Sequence, residues 1–300
     1  MNDNGIIWKM NCIFEINIIN SMPTTTPEAN TLGKETRFGF GNNWKKYLSR
    51  ITEENINNAQ KAIADVLKKT SLEGLSFLDA GCGSGIHSLA ALRMGAKIFS
   101  FDYDKNSVGC AQYLKQKFAI PNEQWNIMQG SVLDSGFMSK IGTFDVVYSW
   151  GVIHHTGNMW KGLDLIDNCV KPGGGLLFIS IYNDQGPDSK RWKFVKKTYN
   201  ENALLRLFWI ITLGAGYLCG KAILIDTLKG RNPFKRFREY KKNRGMSVWT
   251  DVLDWLGGYP FEVAKPEEIF NFYKSKKYDL VYLKTCGGGL GCNEFVFRKQ

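Results

Sequence analysis

One ten-residue stretch, residues 76–85, constrains the fold more than any other part of the chain. Its sequence, SFLDAGCGSG, is an apolar run that ends in an acid and opens into three alternating glycines, Gly81, Gly83 and Gly85. The apolar run is typical of a buried parallel strand, and the glycines are typical of a tight turn into a helix. A Cβ atom there would oppose positive φ and keep a ligand away from the backbone N–H groups. The stretch therefore predicts a strand, a nucleotide-type binding loop and a helix in succession.

A second acid follows at the end of the next predicted strand. Residues 86–93 are predicted to be a helix that ends before Gly95, and residues 96–102, AKIFSFD, are predicted to be a strand that ends in Asp102, 17 residues beyond Gly85. A carboxylate there can accept hydrogen bonds from both hydroxyls of a ribose. The alternative interpretation is a surface acid at a strand end. The two signals at this spacing together favour a ribose site.

The pattern D-x-G-x-G-x-G, which begins at Asp79, resembles the first motif of class I S-adenosylmethionine-dependent methyltransferases. It differs from the dinucleotide fingerprint because Ile86 stands where the last glycine would be. The sequence WGVIHH at residues 150–155 resembles the fourth-strand motif of the ubiquinone- and menaquinone-biosynthesis branch, and KPGG at residues 171–174 precedes the fifth strand as in that branch. The resemblance covers about residues 77–182 and resumes at 266–300.

This resemblance implies an α/β fold: a doubly wound, mostly parallel, seven-stranded Rossmann-like sheet with one antiparallel strand and a helical cap inserted after strand five. We predict five segments along the chain. They are an N-terminal extension (1–31), a helical arm or lid (32–70), a cofactor-binding core (71–185), a basic and partly apolar cap insertion (186–262), and the last helix with the closing strand pair (263–300).

The resemblance also implies which residues bind S-adenosylmethionine. The candidates are Asp79, Gly81, Gly83, Gly85, Asp102, Tyr103, Ser131, Val132 and Trp150. Ser131 stands where relatives commonly have an acid that receives the adenine amino group, so either the Ser131 hydroxyl or Asp134 would have to make that contact.

His155 is the candidate general base, because imidazole titrates near neutral pH, and Tyr182 and Asn183 are expected to orient the acceptor. The alternative for His155 is a structural role at the start of the next helix. We expect no metal site: the adjacent histidines lack H-x-x-x-H spacing, and Cys286 with Cys292 would supply only two ligands.

The excess of positive charge is confined to one segment. Residues 186–245 contain 15 Lys and Arg against 4 Asp and Glu, which accounts for the whole net charge of +11. The rest of the chain contains 24 basic and 24 acidic residues. Within it, the apolar residues 207–220 would form a helix of about 21 Å, too short for the roughly 30 Å hydrocarbon core. Two readings stay open. The helix is the core of a substrate cap, or it lies in an anionic membrane interface with Trp209 and Tyr217 at headgroup depth.

The seven cysteines are odd in number and contain no C-x-x-C pair, which indicates reduced thiols. The N-terminus has no pattern of a secretory signal, so we expect a cytoplasmic protein, peripherally attached to membranes if the interface reading holds. We predict an enzyme that methylates a small-molecule or lipid-like acceptor. The alternatives are an RNA methyltransferase, suggested by the basic segment, and a non-catalytic S-adenosylmethionine-binding module. No obligate protein partner is evident.

Overall fold

The computed structural model describes residues 51–232 and 248–300. They divide into a sheet unit, residues 51–185 and 262–300, and a helical unit, residues 186–232 and 248–261. The predicted extension at 1–31, the part of the predicted arm before residue 51 and residues 233–247 of the basic segment lie outside the described residues. The predicted five-part division of the chain stays a prediction.

The sheet unit is built on a seven-stranded sheet with the order β3-β2-β1-β4-β5-β7-β6. The strands are β1 (Ser76–Ala80), β2 (Lys97–Asp102), β3 (Trp125–Gln129), β4 (Val146–Trp150), β5 (Leu176–Tyr182), β6 (Tyr278–Lys284) and β7 (Cys292–Lys299). The first five are parallel, and β7 is antiparallel to both of its neighbours. The predicted doubly wound sheet with one antiparallel strand is confirmed.

The helix predicted over residues 86–93 is confirmed, whereas the helix predicted over residues 207–220 is the middle of a longer helical run, residues 203–228. In chain order the α-helices are α1 (Glu53–Leu67), α2 (Ile86–Arg93), α3 (Lys105–Lys117), α4 (Ser135–Met138), α5 (Met159–Asp167), α6 (Pro187–Glu201), α7 (Ala203–Trp209), α8 (Gly220–Leu228), α9 (Val248–Gly257) and α10 (Pro266–Ser275). Thr52 begins α1 with a capping box that it shares with Asn55. Pro266 occupies the first turn of α10, where its missing N–H has no helical partner in any case.

Side chains along each strand alternate between the two faces of the sheet. Leu78, Val147 and Ile179 belong to a buried cluster that includes side chains of α5 and α10. Asp79 and Tyr148, one residue further along their strands, point to the opposite face. There Ser88 of α2 donates to Asp79. Both faces of the sheet are therefore covered, as parallel sheets require.

The helical unit contains α6 to α9 and a π-helix, Ile210–Cys219, which makes one helical run with α7 and α8. Its core consists of Val195, Tyr199, Val252 and Leu256. Lys196 is fully buried beside it, with Nζ 3.7 Å from the centroid of the Trp255 ring. Within the described ranges, no helix has both the length and the apolar character needed to cross a membrane.

Candidate active site

The glycine loop after β1 requires glycine for steric reasons. Gly81 has φ +86°, and a Cβ atom at this position would overlap the Val152 side chain. Gly85 has φ +79°, and its Cβ atom would lie 3.0 Å from the Cα atom of Ala111 in α3. Other residues are strained in this backbone region. The loop thus needs glycine both for its own conformation and for close packing at the start of α2.

Asp102, at the end of β2, accepts backbone hydrogen bonds on both carboxylate oxygens, and one of these bonds comes from this loop. Its Oδ2 accepts from the Gly83 N–H at 2.9 Å, and its Oδ1 accepts from the Asp104 N–H at 2.9 Å. Burial raises the pKa of Asp102 to about 6, against the effect of these backbone donors. Each carboxylate oxygen can accept more than one hydrogen bond. The carboxylate is therefore fixed in orientation and keeps acceptor capacity for a diol.

Asp79 ends β1 beside the loop and is 2% exposed. Its Oδ2 accepts from the Ser88 hydroxyl at 2.5 Å. Burial raises the pKa of Asp79 to about 7, and the nearby charge of Asp102 acts in the same direction, while the Ser88 hydrogen bonds lower it. The loop is thus bordered by two acids whose pKa values lie above the ordinary range, which marks a candidate functional site.

The residues predicted at the adenine end lie after β2 and β3. Tyr103 is 43% exposed, and its carbonyl accepts from the Gln129 side chain at 3.1 Å. The Ser131 hydroxyl accepts from the Leu133 N–H at 3.1 Å, and Val132 is buried. Asp134 caps α4 by accepting from the Phe137 N–H. Both candidates for the adenine contact are therefore held in place by backbone donors.

The predicted catalytic residues lie after β4 and at the end of β5. His155 is half-buried, and its ring lies edge-on to the Tyr182 ring with centroids 5.3 Å apart. His154 is fully buried, with its ring 3.9 Å from Tyr182 and 4.6 Å from His155. Trp150, the last residue of β4, is buried on the Asp79 face of the sheet. The structure thus brings His155 and Tyr182 together.

Asn183 follows β5 and contacts the glycine-rich loop between β6 and β7. Its Nδ2 donates to the Gly289 carbonyl at 3.3 Å, and its Oδ1 accepts from Asn293 at 3.0 Å. Its backbone N–H donates to the Gly291 carbonyl at 2.9 Å. The loop therefore reaches the carboxyl end of β5. Asn293 carries no sequence motif that would have pointed to this contact.

A cleft of about 390 Å³ lies on the Asp79 face of the sheet, between α1 and strands β4 to β7. Its lining includes His87, Trp150, Phe178, Lys284 and Glu294. Lys284 Nζ lies 3.3 Å from the buried Glu294 carboxylate. Burial lowers the pKa of His87 to about 4, so its imidazole is neutral at pH 7. No sequence signal indicated this cleft, because its walls come from distant parts of the chain.

A metal centre is not suggested by the geometry of the described ranges, where no group of three or more His, Cys, Asp or Glu side chains is placed to hold an ion. The thiols of Cys82, Cys110, Cys169, Cys286 and Cys292 are buried, and these five cysteines form no disulfide with one another.

Sequence comparison matches residues 78–178 to a family model described as "Methyltransferase domain". The chain is 33% identical over 120 residues to the mitochondrial ubiquinone biosynthesis O-methyltransferase of Dictyostelium discoideum. This alignment covers 37% of this chain and 36% of that relative. It is 30% identical over 112 residues to the ubiquinone biosynthesis O-methyltransferase of Rhizobium etli, with coverage of 37% and 43%. The matched region spans less than half the length of these relatives.

Comparison with solved structures finds the same fold. Magnesium protoporphyrin IX methyltransferase from Synechocystis, solved with bound SAH, superposes with a TM-score of 0.50 at 13% identity, covering 87% of this chain and 94% of that chain. PKMT2 from Rickettsia typhi, in complex with AdoHcy, gives 0.51 at 15% identity, with coverage of 81% and 52%. At such identities the likeness extends to the fold alone.

Proposed function

We propose that this chain is a class I S-adenosylmethionine-dependent methyltransferase that transfers a methyl group to a small-molecule or lipid-like acceptor. The match of residues 78–178 to a methyltransferase-domain family model supports the proposal. The observation that carries the proposal is the glycine loop after β1 with Asp102 held against it by the Gly83 N–H. This places backbone donors and a ribose acceptor at neighbouring strand ends, where open α/β sheets bind ligands. The named relatives favour a hydroxyl-bearing acceptor.

The cofactor would lie across the ends of β1 and β2. Asp102 would accept from the ribose hydroxyls, Asp79 would face the ammonium group of the methionine moiety, and the glycine loop would accommodate that moiety. Tyr103, Ser131 and Val132 would border the adenine, and Trp150 would border the methionine end. When bound, the cofactor supplies an electrophilic methyl group on a sulfonium. The protein's contribution is to align this group with the acceptor atom and to exclude water.

His155 is the residue that would remove the acceptor proton. Its ring packs edge-on against Tyr182, which restricts its orientation. Tyr182 would contact the acceptor directly. The Asn183 amide bonds Gly289 of the β6–β7 loop through Nδ2 and Asn293 of β7 through Oδ1, so it would orient the acceptor by holding that loop in place.

Calorimetric titration and label transfer test the proposal together. We expect S-adenosylmethionine and S-adenosylhomocysteine to bind and NAD not to bind usefully. Asp102→Ala should weaken both cofactor forms by about 2–4 kcal/mol, since two charge-assisted hydrogen bonds are lost. Incubation with methyl-labelled cofactor and a fractionated host extract should place label in the lipid or small-metabolite fraction. Label in RNA would favour the RNA methyltransferase, and binding without any transfer would favour the non-catalytic module.

We propose in addition that the helical unit attaches to anionic membrane surfaces. Along α7 and the π-helix, Leu204, Leu207, Phe208 and Ile211 are 50–79% exposed and recur at helical spacing. The opposite side of the same run, with Trp209, Ile210 and Leu213, packs on the core of the unit. A helix that is apolar on its solvent side as well as its core side favours an interfacial position, and the basic excess of the segment favours anionic lipid.

Co-sedimentation with vesicles of phosphatidylcholine, with and without phosphatidylserine, tests the membrane proposal over a salt series. We expect binding to the anionic vesicles at low ionic strength, with loss at high salt. The double variant Leu207→Gln/Ile211→Gln should bind more weakly. Val281→Gln, which alters an exposed apolar residue of β6, is the matched control. Absence of binding even at low salt would reject the membrane proposal and leave the alternative of a substrate-cap helix.

A further inference from the structure

A chain of buried hydrogen bonds runs through the sheet unit and ends on Asp79. Trp125 Nε1 donates to Ser100 Oγ at 2.8 Å, Ser100 Oγ lies 2.7 Å from Ser88 Oγ, and Ser88 Oγ donates to Asp79 Oδ2 at 2.5 Å. All four side chains are 0–2% exposed. The chain joins the first residue of β3, the middle of β2, the first turn of α2 and the end of β1.

The direction of this chain follows from the donors that each group has. An indole N–H can only donate, and each serine hydroxyl has a single proton. Ser88 uses its proton on Asp79, so Ser100 donates to Ser88 while it accepts from Trp125. The dipoles then point the same way, and each bond strengthens the next. The result is a relay of donors that favours a negative charge on Asp79.

The relay works against two opposing influences. Burial and the neighbouring carboxylate of Asp102 raise the pKa of Asp79, whereas the hydrogen bonds from Ser88 lower it. Burial, and to a smaller extent the charges of Asp102 and Asp79, raise the pKa of the Cys82 thiol on the glycine loop well above its ordinary value, so it stays neutral. Without the relay, burial and the neighbouring acid would raise the pKa of Asp79 with less opposition, and its neutral form would be favoured further.

We propose that Ser88, Ser100 and Trp125 are positioning residues that hold Asp79 as an ionised receptor for the ammonium group of the cofactor's methionine moiety. This inference rests on the proposed function, since it requires S-adenosylmethionine at the glycine loop. The register supports it: Ser100 lies directly opposite Asp79 in the β1–β2 pairing. The relay therefore ends at the strand end where the methionine moiety would lie. None of its three hydrogen bonds involves Asp102, the proposed ribose acceptor.

The affinities of three ligands distinguish a positioning role of Ser88 and Ser100 from a general structural role. S-adenosylmethionine and S-adenosylhomocysteine carry the amino group, whereas 5′-methylthioadenosine has the same adenosine but no amino acid moiety. Ser88→Ala is expected to weaken the first two by about tenfold, the loss of one hydrogen bond to a charged group, and to leave 5′-methylthioadenosine nearly unchanged. Ser100→Ala should give the same selectivity with a smaller change. Asp102→Ala, by contrast, should weaken all three.

Ser149→Ala is the matched control, because it also removes a fully buried hydroxyl, one that donates to the Ala80 carbonyl outside the relay. It should change stability without changing the ratio of affinities for the three ligands. A second readout is the pH midpoint of that ratio. It should move upward in Ser88→Ala, because Asp79 loses a hydrogen bond that lowers its pKa. The amine of the ligand titrates alike in both proteins and does not contribute to the shift. Equal weakening of all three ligands by Ser88→Ala, or an unmoved midpoint, would overturn the inference. Failure of the wild type to bind S-adenosylmethionine at all would reject the proposed function instead.

Discussion

At the scale of single residues, His155 carries the proposed chemistry. If it removes the acceptor proton, His155→Gln should lower kcat by about 10²–10⁴ while cofactor affinity stays close to that of the wild type. The measurement is single-turnover methyl transfer, once an acceptor fraction is identified, beside calorimetric titration of the cofactor. Parallel losses of cofactor affinity and folding stability would instead identify a structural histidine. Wild-type activity would exclude both roles.

At the scale of elements, the turn from β1 into α2 depends on Gly85. Gly85→Ala places a Cβ atom against the Ala111 backbone at a positive φ, so we expect the free energy of unfolding to fall by about 1–3 kcal/mol and cofactor affinity to fall with it. Gly109→Ala in α3 is the control. Nothing lies within 4 Å of its added Cβ atom, and alanine should stabilise the helix by about 0.5–1 kcal/mol. Denaturant titration of both variants measures the difference, and equal stability of the two would contradict this account of the loop.

At the scale of the whole molecule, the acids of the site link stability to pH. The pKa values of Asp79 and Asp102 are raised to about 7 and about 6 from the 3.8 of the unfolded chain. The folded state therefore binds more protons than the unfolded state between about pH 4 and about pH 7, and the stability of the ligand-free protein should fall as pH rises through that range. Asp145, whose pKa is lowered to about 2 chiefly by Lys171, acts oppositely and only at lower pH.

Denaturant unfolding of the ligand-free protein across this pH range, with Asp79→Asn as the comparison, tests the linkage. The variant should show a smaller decline with pH, because one of the two titrating acids is gone. A wild-type stability that rises over the same range would contradict the assignment.

The sequence by itself determined the strand, glycine loop and helix at residues 76–93 and the strand that ends in Asp102. Positive φ at Gly81 and Gly85 and the apolar run before them are local requirements, so they are legible in adjacent residues. The same holds for the helix starts at Thr52 and Pro266, where capping chemistry lies within a few positions. The parallel sheet with one antiparallel strand followed from the resemblance that these motifs carry.

Only the tertiary structure decided what surrounds Asp79 and Asn183. Ser100 and Trp125 reach Asp79 because the register of β1, β2 and β3 sets their side chains in a row, and Asn293 meets Asn183 because β7 pairs antiparallel with β5. The cleft under α1 likewise depends on which strands adjoin β5. These contacts join residues that are up to 110 positions apart, as for Asn183 and Asn293. Strand pairing brings them together, and strand pairing leaves no local pattern in the sequence.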